Sequence, residues 1–168
     1  VSSDGNVNVV ARDFGTQPAR WPAYVVRPGS TEEIAQVLQL ATELEIPVSP
    51  RGGGSAQEGG CQSDGGIVLE TLRLDRILEI DEDTGTVTVE AGITFGKLMN
   101  ELEEHGWKIG IAPSGALAGT VGAHLSRPGV GWGNIKYVSQ GEQVIGVKAV
   151  LPPILKTTMP GRPIRKMF

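Results

Sequence analysis

The sequence predicts an α+β protein of two lobes, a small strand–helix–strand lobe and a larger, mostly antiparallel one. Three observations carry that expectation. A capped amphipathic segment stands between two short apolar runs inside residues 24–50. Two alternating runs flank the turn Asp83-Thr84-Gly85, which is the pattern of a half-exposed hairpin. Glycine-rich tracts join these pieces, and apolar segments between the tracts argue against disorder. At 168 residues, 39% hydrophobic and 20% charged, the chain has the size and composition of one ordinary globular domain.

Residues 1–21 are polar and weakly patterned, and are expected to form an N-terminal arm. Tyr24-Val25-Val26 reads as a short strand that ends at Arg27-Pro28. Ser30-Thr31-Glu32-Glu33 is a capping box, with Ser30 accepting from the Glu33 N–H and the Glu33 carboxylate reaching back. Ile34, Val37, Leu38, Ala41 and Leu44 follow at helical spacing, so a helix is expected over 31–45. Pro47 stops it, and Val48 continues as a second strand.

The chain then enters Pro50-Arg51-Gly52-Gly53-Gly54-Ser55 and reaches Gly59-Gly60. Consecutive glycines leave backbone N–H groups unshielded by any Cβ and allow left-handed backbone that converges them. Such a row suits a diphosphate, although an isolated glycine run serves a surface turn equally well. Beyond it, Gly66-Ile67-Val68-Leu69 reads as a buried strand. Ile77-Leu78-Glu79-Ile80 and Thr86-Val87-Thr88-Val89-Glu90 form the hairpin. Thr94 is placed to cap a helix carrying Phe95, Leu98, Met99 and Leu102 that ends at Gly106, with Lys97, Glu101, Glu103 and Glu104 on a solvated face. A second tract of small residues runs from Ile111 to Gly133, and Val144–Leu151 reads as a closing strand.

Other patterns exclude function classes. A net charge of −4 and a pI near 5.2 give no bulk attraction to nucleic acid or an anionic membrane, so any bound phosphate must be held by local dipoles. No apolar run approaches a membrane span. The start, Val1-Ser2-Ser3-Asp4, lacks the basic and apolar regions of a signal peptide and is read as trimmed. The single cysteine, Cys61, forms no internal disulfide, so a reducing, cytoplasmic setting is expected. His105 and His124 have no Cys or second His at ligand spacing, and no metal site is expected. Gly52-Gly53-Gly54 does not complete a dinucleotide fingerprint, because Gln57 stands where a glycine is needed. Gly92-Ile93-Thr94-Phe95-Gly96-Lys97 is one residue short of a phosphate-binding Walker loop, and Leu98 replaces its Ser or Thr.

In order and spacing these segments resemble the FAD-binding domain of the vanillyl-alcohol oxidase and p-cresol methylhydroxylase flavoprotein superfamily. The likeness is strongest to its branch of glycolate oxidase flavoprotein subunits and FAD-linked D-lactate dehydrogenases. It rests on Val26-Arg27-Pro28, Pro50–Ser55, Gly65-Gly66-Ile67-Val68-Leu69, Ile77–Asp81, Thr86–Gly92, Gly119-Thr120-Val121-Gly122 and Val144–Pro152. The resemblance implies an FAD-binding domain over 22–151, with lobe one at 22–60, lobe two at 61–151 and the cofactor between them. Residues 152–168 would then be an incomplete continuation of lobe two or a tail.

By the same resemblance Arg51, Gly52, Gly53, Gly54 and Ser55, with Gly59 nearby, wrap the FAD diphosphate. Pro113, Ser114, Gly115, Thr120, Val121 and Gly122 lie along the ribityl chain and flavin, and His124 and Ser126 add contacts. Ala123 replaces a usual glycine, Arg127-Pro128 interrupts a small-residue run, and Val138 follows Tyr137 where glycine is common. No histidine stands in the first loop, so non-covalent FAD is expected. The implied function is a flavin-dependent oxidoreductase that takes a hydride equivalent from a 2-hydroxy acid, such as glycolate or D-lactate, and passes electrons to an acceptor or partner oxidase subunit. The substrate-binding cap domain and any catalytic base of such an enzyme are expected to lie in a part of the protein beyond this chain. Two alternatives stay open: a non-catalytic FAD-binding assembly subunit, and an NADPH-dependent enzyme like UDP-N-acetylenolpyruvoylglucosamine reductase.

Overall fold

A computed structural model describes residues 6–127, 130–137 and 139–151, together with the backbone of 155–160. The expectations for Val1–Asp4, Pro128, Val138, Pro152, Ile154 and residues 161–168 lie outside this range. The chain divides into two compact units, one running to Leu74 with Val150–Lys156, the other comprising Asp75–Ala149 with the segment from Thr157.

The first unit is a parallel three-stranded sheet with one long helix. Strand β1 (Tyr24–Val26) leads through helix α2 (Thr31–Glu43) to β2 (Val48–Arg51), after a short helix α1 (Asn6–Val10). Strand β3 (Ile67–Glu70) lies between β1 and β2, pairing Val25 with Val68 on one side and Ser49 with Val68 on the other. Every residue of β3 is buried, as a central strand's continuous apolar run requires. β2 is an edge strand, which is why Pro50 is tolerated there without breaking a ladder.

Three differences from the sequence expectation appear here. β3 belongs to the first unit, so the division falls after Leu74 and not near residue 60. Residues 6–20 are more than an arm: Val10 and Ala11 are buried, and Val10 packs with Val25 and Val68 in the core. The apolar run of α1 is too short to show a period, so its burial was invisible in the pattern. The α2 cap also differs by one residue. Ser30 Oγ accepts from the Glu33 N–H at 3.1 Å, but the Glu33 carboxylate accepts from Gly29 N at 2.6 Å.

The second unit carries an antiparallel hairpin, β4 (Ile77–Asp81) and β5 (Thr86–Val89). Asp81 Oδ1 accepts from the N–H groups of Asp83 and Thr84, and Gly85 takes the left-handed backbone that closes the turn (φ 65°). Helix α3 (Phe95–Glu104) is capped by Thr94, whose hydroxyl accepts from Lys97 N at 3.2 Å, and Gly106 follows its end at φ 77°. Ile93, Leu98 and Leu102 form the core of this unit, with Ile77, Ile80, Val87, Val89, Ile109 and Val121 packed against them. Lys97, Glu101, Glu103 and Glu104 are exposed, as the helical spacing predicts. The chain continues through short helices α4 (Val121–Leu125) and α5 (Asn134–Tyr137) to strand β6 (Gly146–Leu151), which pairs with β7 (Leu155–Pro160).

Candidate functional site

In the first unit, β2 ends at Arg51 and releases the chain into Gly52-Gly53-Gly54. Gly54 and Gly59 adopt left-handed backbone, with φ of 72° and 78°. The carbonyls of Gly54 and Ala56 both accept from the Phe14 N–H, at 3.0 and 2.9 Å. In a trans peptide the carbonyl and the following N–H point in opposite directions. Fixing the Gly54 carbonyl on Phe14 therefore turns the Ser55 N–H away from it. Among the described residues, no group accepts from the N–H of Gly52, Gly53, Gly54, Ser55 or Ala56. The loop is thus a row of unpaired donors, two of whose carbonyls, those of Gly54 and Ala56, are tied to Phe14, and converging amide donors can hold an anion without an obligatory cation.

Arg51 takes another position than a simple phosphate clamp would. It is buried, and its guanidinium lies 3.3 Å from Cys61 Sγ, 3.5 Å from the Val10 carbonyl and 4.0 Å from the Glu70 carboxylate. Glu70, also buried, pairs with Arg27 as well. Arg51 therefore places a positive charge behind the loop. Burial holds the Cys61 thiol above its ordinary range, partly offset by Arg51, so this cysteine stays protonated and inert. Gly59 does not offer its N–H outward; it donates to Asp13 Oδ2 at 2.7 Å. The other Asp13 oxygen accepts from Gly15 N at 2.9 Å. Sequence reasoning missed Asp13, Phe14 and Gly15, because their role depends on partners about 40 residues away in the chain.

In the second unit, the small-residue tract folds against the start of α3. Phe95 N donates to the Gly119 carbonyl, Val121 N to Ile93 O and Gly122 N to Ala91 O. A Cβ on Gly122 would lie 2.7 Å from Ala91 Cβ, so this close approach requires glycine. Thr120 is fully buried, yet its hydroxyl has no partner among the described residues. His124 is 8% exposed, its ring meets Phe95 edge-on at 5.5 Å, and its Nε2 is likewise without a partner. Burial first, and then the charge of Arg127, hold the His124 imidazole below its usual range, so it is neutral near pH 7. Pro113, Ser114 and Gly115 sit in a turn whose Gly115 carbonyl accepts from Ala118 and Gly119, with Ser114 and Gly115 exposed. Ser126 spends its hydroxyl hydrogen on the Gly122 carbonyl at 2.8 Å, and the Ala123 methyl is exposed.

Unpartnered buried polar atoms are costly, and Gln62 Oε1 and Gln140 Oε1 share this state with Thr120 Oγ1 and His124 Nε2 among the described residues. The FAD binding domain family matches residues 22–153, a span that contains the donor loop and the Thr120–Gly122 segment.

The chain belongs to this FAD-binding family. It is 33% identical over 144 residues to the glycolate oxidase subunit GlcD of Bacillus subtilis, covering 85% of this chain and 31% of that protein. It is 35% identical over 128 residues to the D-lactate dehydrogenase of Archaeoglobus fulgidus, covering 76% of this chain and 28% of the relative. Among solved structures, an alkyldihydroxyacetonephosphate synthase superposes with a TM-score of 0.85 over 97% of this chain and 32% of its own, at 21% identity. The chain therefore spans about a third of the length of these relatives. The expected α+β fold and family are both met. The residues fit FAD: unpaired amide donors suit its diphosphate, and orphaned Thr120 and His124 atoms suit a polar heterocycle. Among the described residues no cluster of three or more His, Cys, Asp or Glu could hold a metal, and no helix is long and apolar enough to cross a membrane.

Proposed function

We propose that this FAD-binding domain is the cofactor-holding part of a flavin-dependent oxidoreductase that oxidises a small 2-hydroxy acid such as glycolate or D-lactate. The observation that carries the reading is the run of unpaired N–H groups from Gly52 to Ala56. The names of the relatives, a glycolate oxidase subunit and a D-lactate dehydrogenase, support the substrate class.

Bound FAD supplies a two-electron acceptor, and the protein supplies position and electrostatics. Gly52, Gly53, Gly54, Ser55 and Ala56 donate to the diphosphate. Arg51, buried behind them, adds a positive field without spending its donors on the ligand. Gly122 lets the main chain run close to the flavin, while the Thr120 hydroxyl and neutral His124 offer hydrogen bonds to its polar edge. Pro113, Ser114, Gly115 and Val121 line the same region, and Ser126 accepts through its free lone pairs. The first loop contains no histidine, which supports non-covalent FAD. A lone, unbridged Cys61 fits a reducing, cytoplasmic setting.

The test is an absorption spectrum of the full-length protein, then anaerobic addition of glycolate and D-lactate. A yellow protein that bleaches with either acid supports the reading. A yellow protein that bleaches only with NADPH, or with no donor, overturns the substrate class. A colourless protein that binds no added FAD overturns the cofactor role.

A further inference from the structure

We infer that the Asp13-Phe14-Gly15 turn is a positioning clamp that fixes the diphosphate-binding loop and aims its Ser55 N–H, and that the Asp13 carboxylate is its central group. The inference rests on the FAD-binding reading above. It concerns residues before the span matched by the family, which begins at residue 22.

Asp13 uses both carboxylate oxygens. Oδ1 accepts from Gly15 N at 2.9 Å, which folds residues 13–15 into a tight turn. Oδ2 accepts from Gly59 N at 2.7 Å, at the far end of the glycine loop. Hydrogen bonds to an ionised acceptor are the strong ones, so this bridge fixes one end of the loop to the turn. The turn then presents the Phe14 N–H, which the carbonyls of Gly54 and Ala56 share. By peptide geometry, the fixed Gly54 carbonyl aims the Ser55 N–H to the opposite side, while the N–H after Ala56, on Gln57, is taken by Glu58 Oε2. Gly15 completes the fit: a Cβ there would run into the Gln57 carbonyl, so only glycine lets the turn sit this close.

The consequence is preorganisation. Glycine-rich backbone is the most mobile kind, and ordering it on ligand binding subtracts from affinity. A loop held before the ligand arrives avoids that loss. The clamp consumes carbonyls and the Gly59 N–H, and leaves the N–H groups from Gly52 to Ala56 free. Asp13 also lies near buried Arg51 and Cys61, and its charge opposes Arg51's effect on the thiol.

The experiment compares full-length wild-type protein with Asp13→Asn and Asp13→Ser by FAD titration, thermal melting of the apoprotein, and amide hydrogen exchange. Asn keeps the shape but offers one acceptor oxygen in place of two. The expected result is an FAD Kd raised by at least about tenfold together with a lowered apoprotein melting temperature, because both hydrogen bonds are present before FAD binds. Exchange at Gly15 and Gly59 should quicken in the variants. A wild-type Kd in a variant whose melting temperature has fallen would make Asp13 a merely structural residue and overturn the inference. Exchange in the wild-type protein needs no variant: before FAD is added, Gly15 and Gly59 should be protected while Ser55 is not. Unprotected Gly15 and Gly59 amides would also overturn it. If wild-type protein bound no FAD, the functional reading would fail and with it the clamp's role toward a diphosphate, whereas protected Gly15 and Gly59 amides would still show that Asp13 ties the turn to the loop.

Discussion

Arg51 occupies the space into which a side chain on Gly54 would project: a Cβ there would collide with its guanidinium. Gly54 also holds φ at 72°, a backbone that costs an ordinary residue about 1–2 kcal/mol. Gly54→Ala is therefore expected to lower stability by at least that amount and to displace Arg51 from its place behind the donor loop. Thermal melting and an FAD titration of the same variant check both effects.

At Gly53 the effect is expected on the ligand and not on the fold. Gly53 is partly exposed and its N–H meets no acceptor among the described residues. Gly53→Asp puts a carboxylate where the diphosphate is to lie, so FAD binding should be abolished while the melting temperature of the apoprotein stays close to wild type. Stoichiometric FAD in the purified variant would refute the loop's role.

Glu70 is 5% exposed and faces both Arg27 and Arg51. Replacing it by Gln leaves the Arg51 guanidinium buried with no carboxylate partner. Breaking a buried pair on one side costs on the order of 3 kcal/mol, so the urea midpoint of Glu70→Gln should fall accordingly. A midpoint equal to wild type would show that Arg51 is compensated in some other way.

Thr120 tests the opposite sign. Its buried hydroxyl has no partner among the described residues, and Val has nearly the same shape. Thr120→Val should leave the apoprotein as stable as wild type, or about 1 kcal/mol more stable, because an unsatisfied polar group is removed. FAD affinity should fall, since the hydroxyl is then missing from the site. Isothermal titration beside apoprotein melting separates the two.

His124 gives a pH dependence. Its folded pKa lies below the ordinary histidine value of 6.5, with burial as the first cause and Arg127 as the second. The folded state resists the proton that the unfolded state accepts. The stability contributed by neutral His124 is therefore fully present above about pH 6.5 and is lost as pH falls through the lower folded value. Urea midpoints measured from pH 8 down to pH 5 should decline less steeply for His124→Gln than for wild type.

The sequence was most informative where one local pattern decides the structure. The capping box at Ser30, the turn at Asp83-Thr84-Gly85 and the Thr94 cap each involve groups a few residues apart, and each forms close to its expected position. The order of the strand segments and glycine tracts also carried the resemblance to the family, which the family match over residues 22–153 bears out. Tertiary structure decided what depends on distant partners. Burial of Val10 with Val25 and Val68 moved the N-terminal segment from arm to core, and pairing of β3 between β1 and β2 moved the unit boundary to Leu74. Only the folded chain brings Asp13 to Gly59 and Arg51 beneath Gly54. A carboxylate or a guanidinium reads the same in any sequence; its role is set by the burial and the partners that long-range packing gives it.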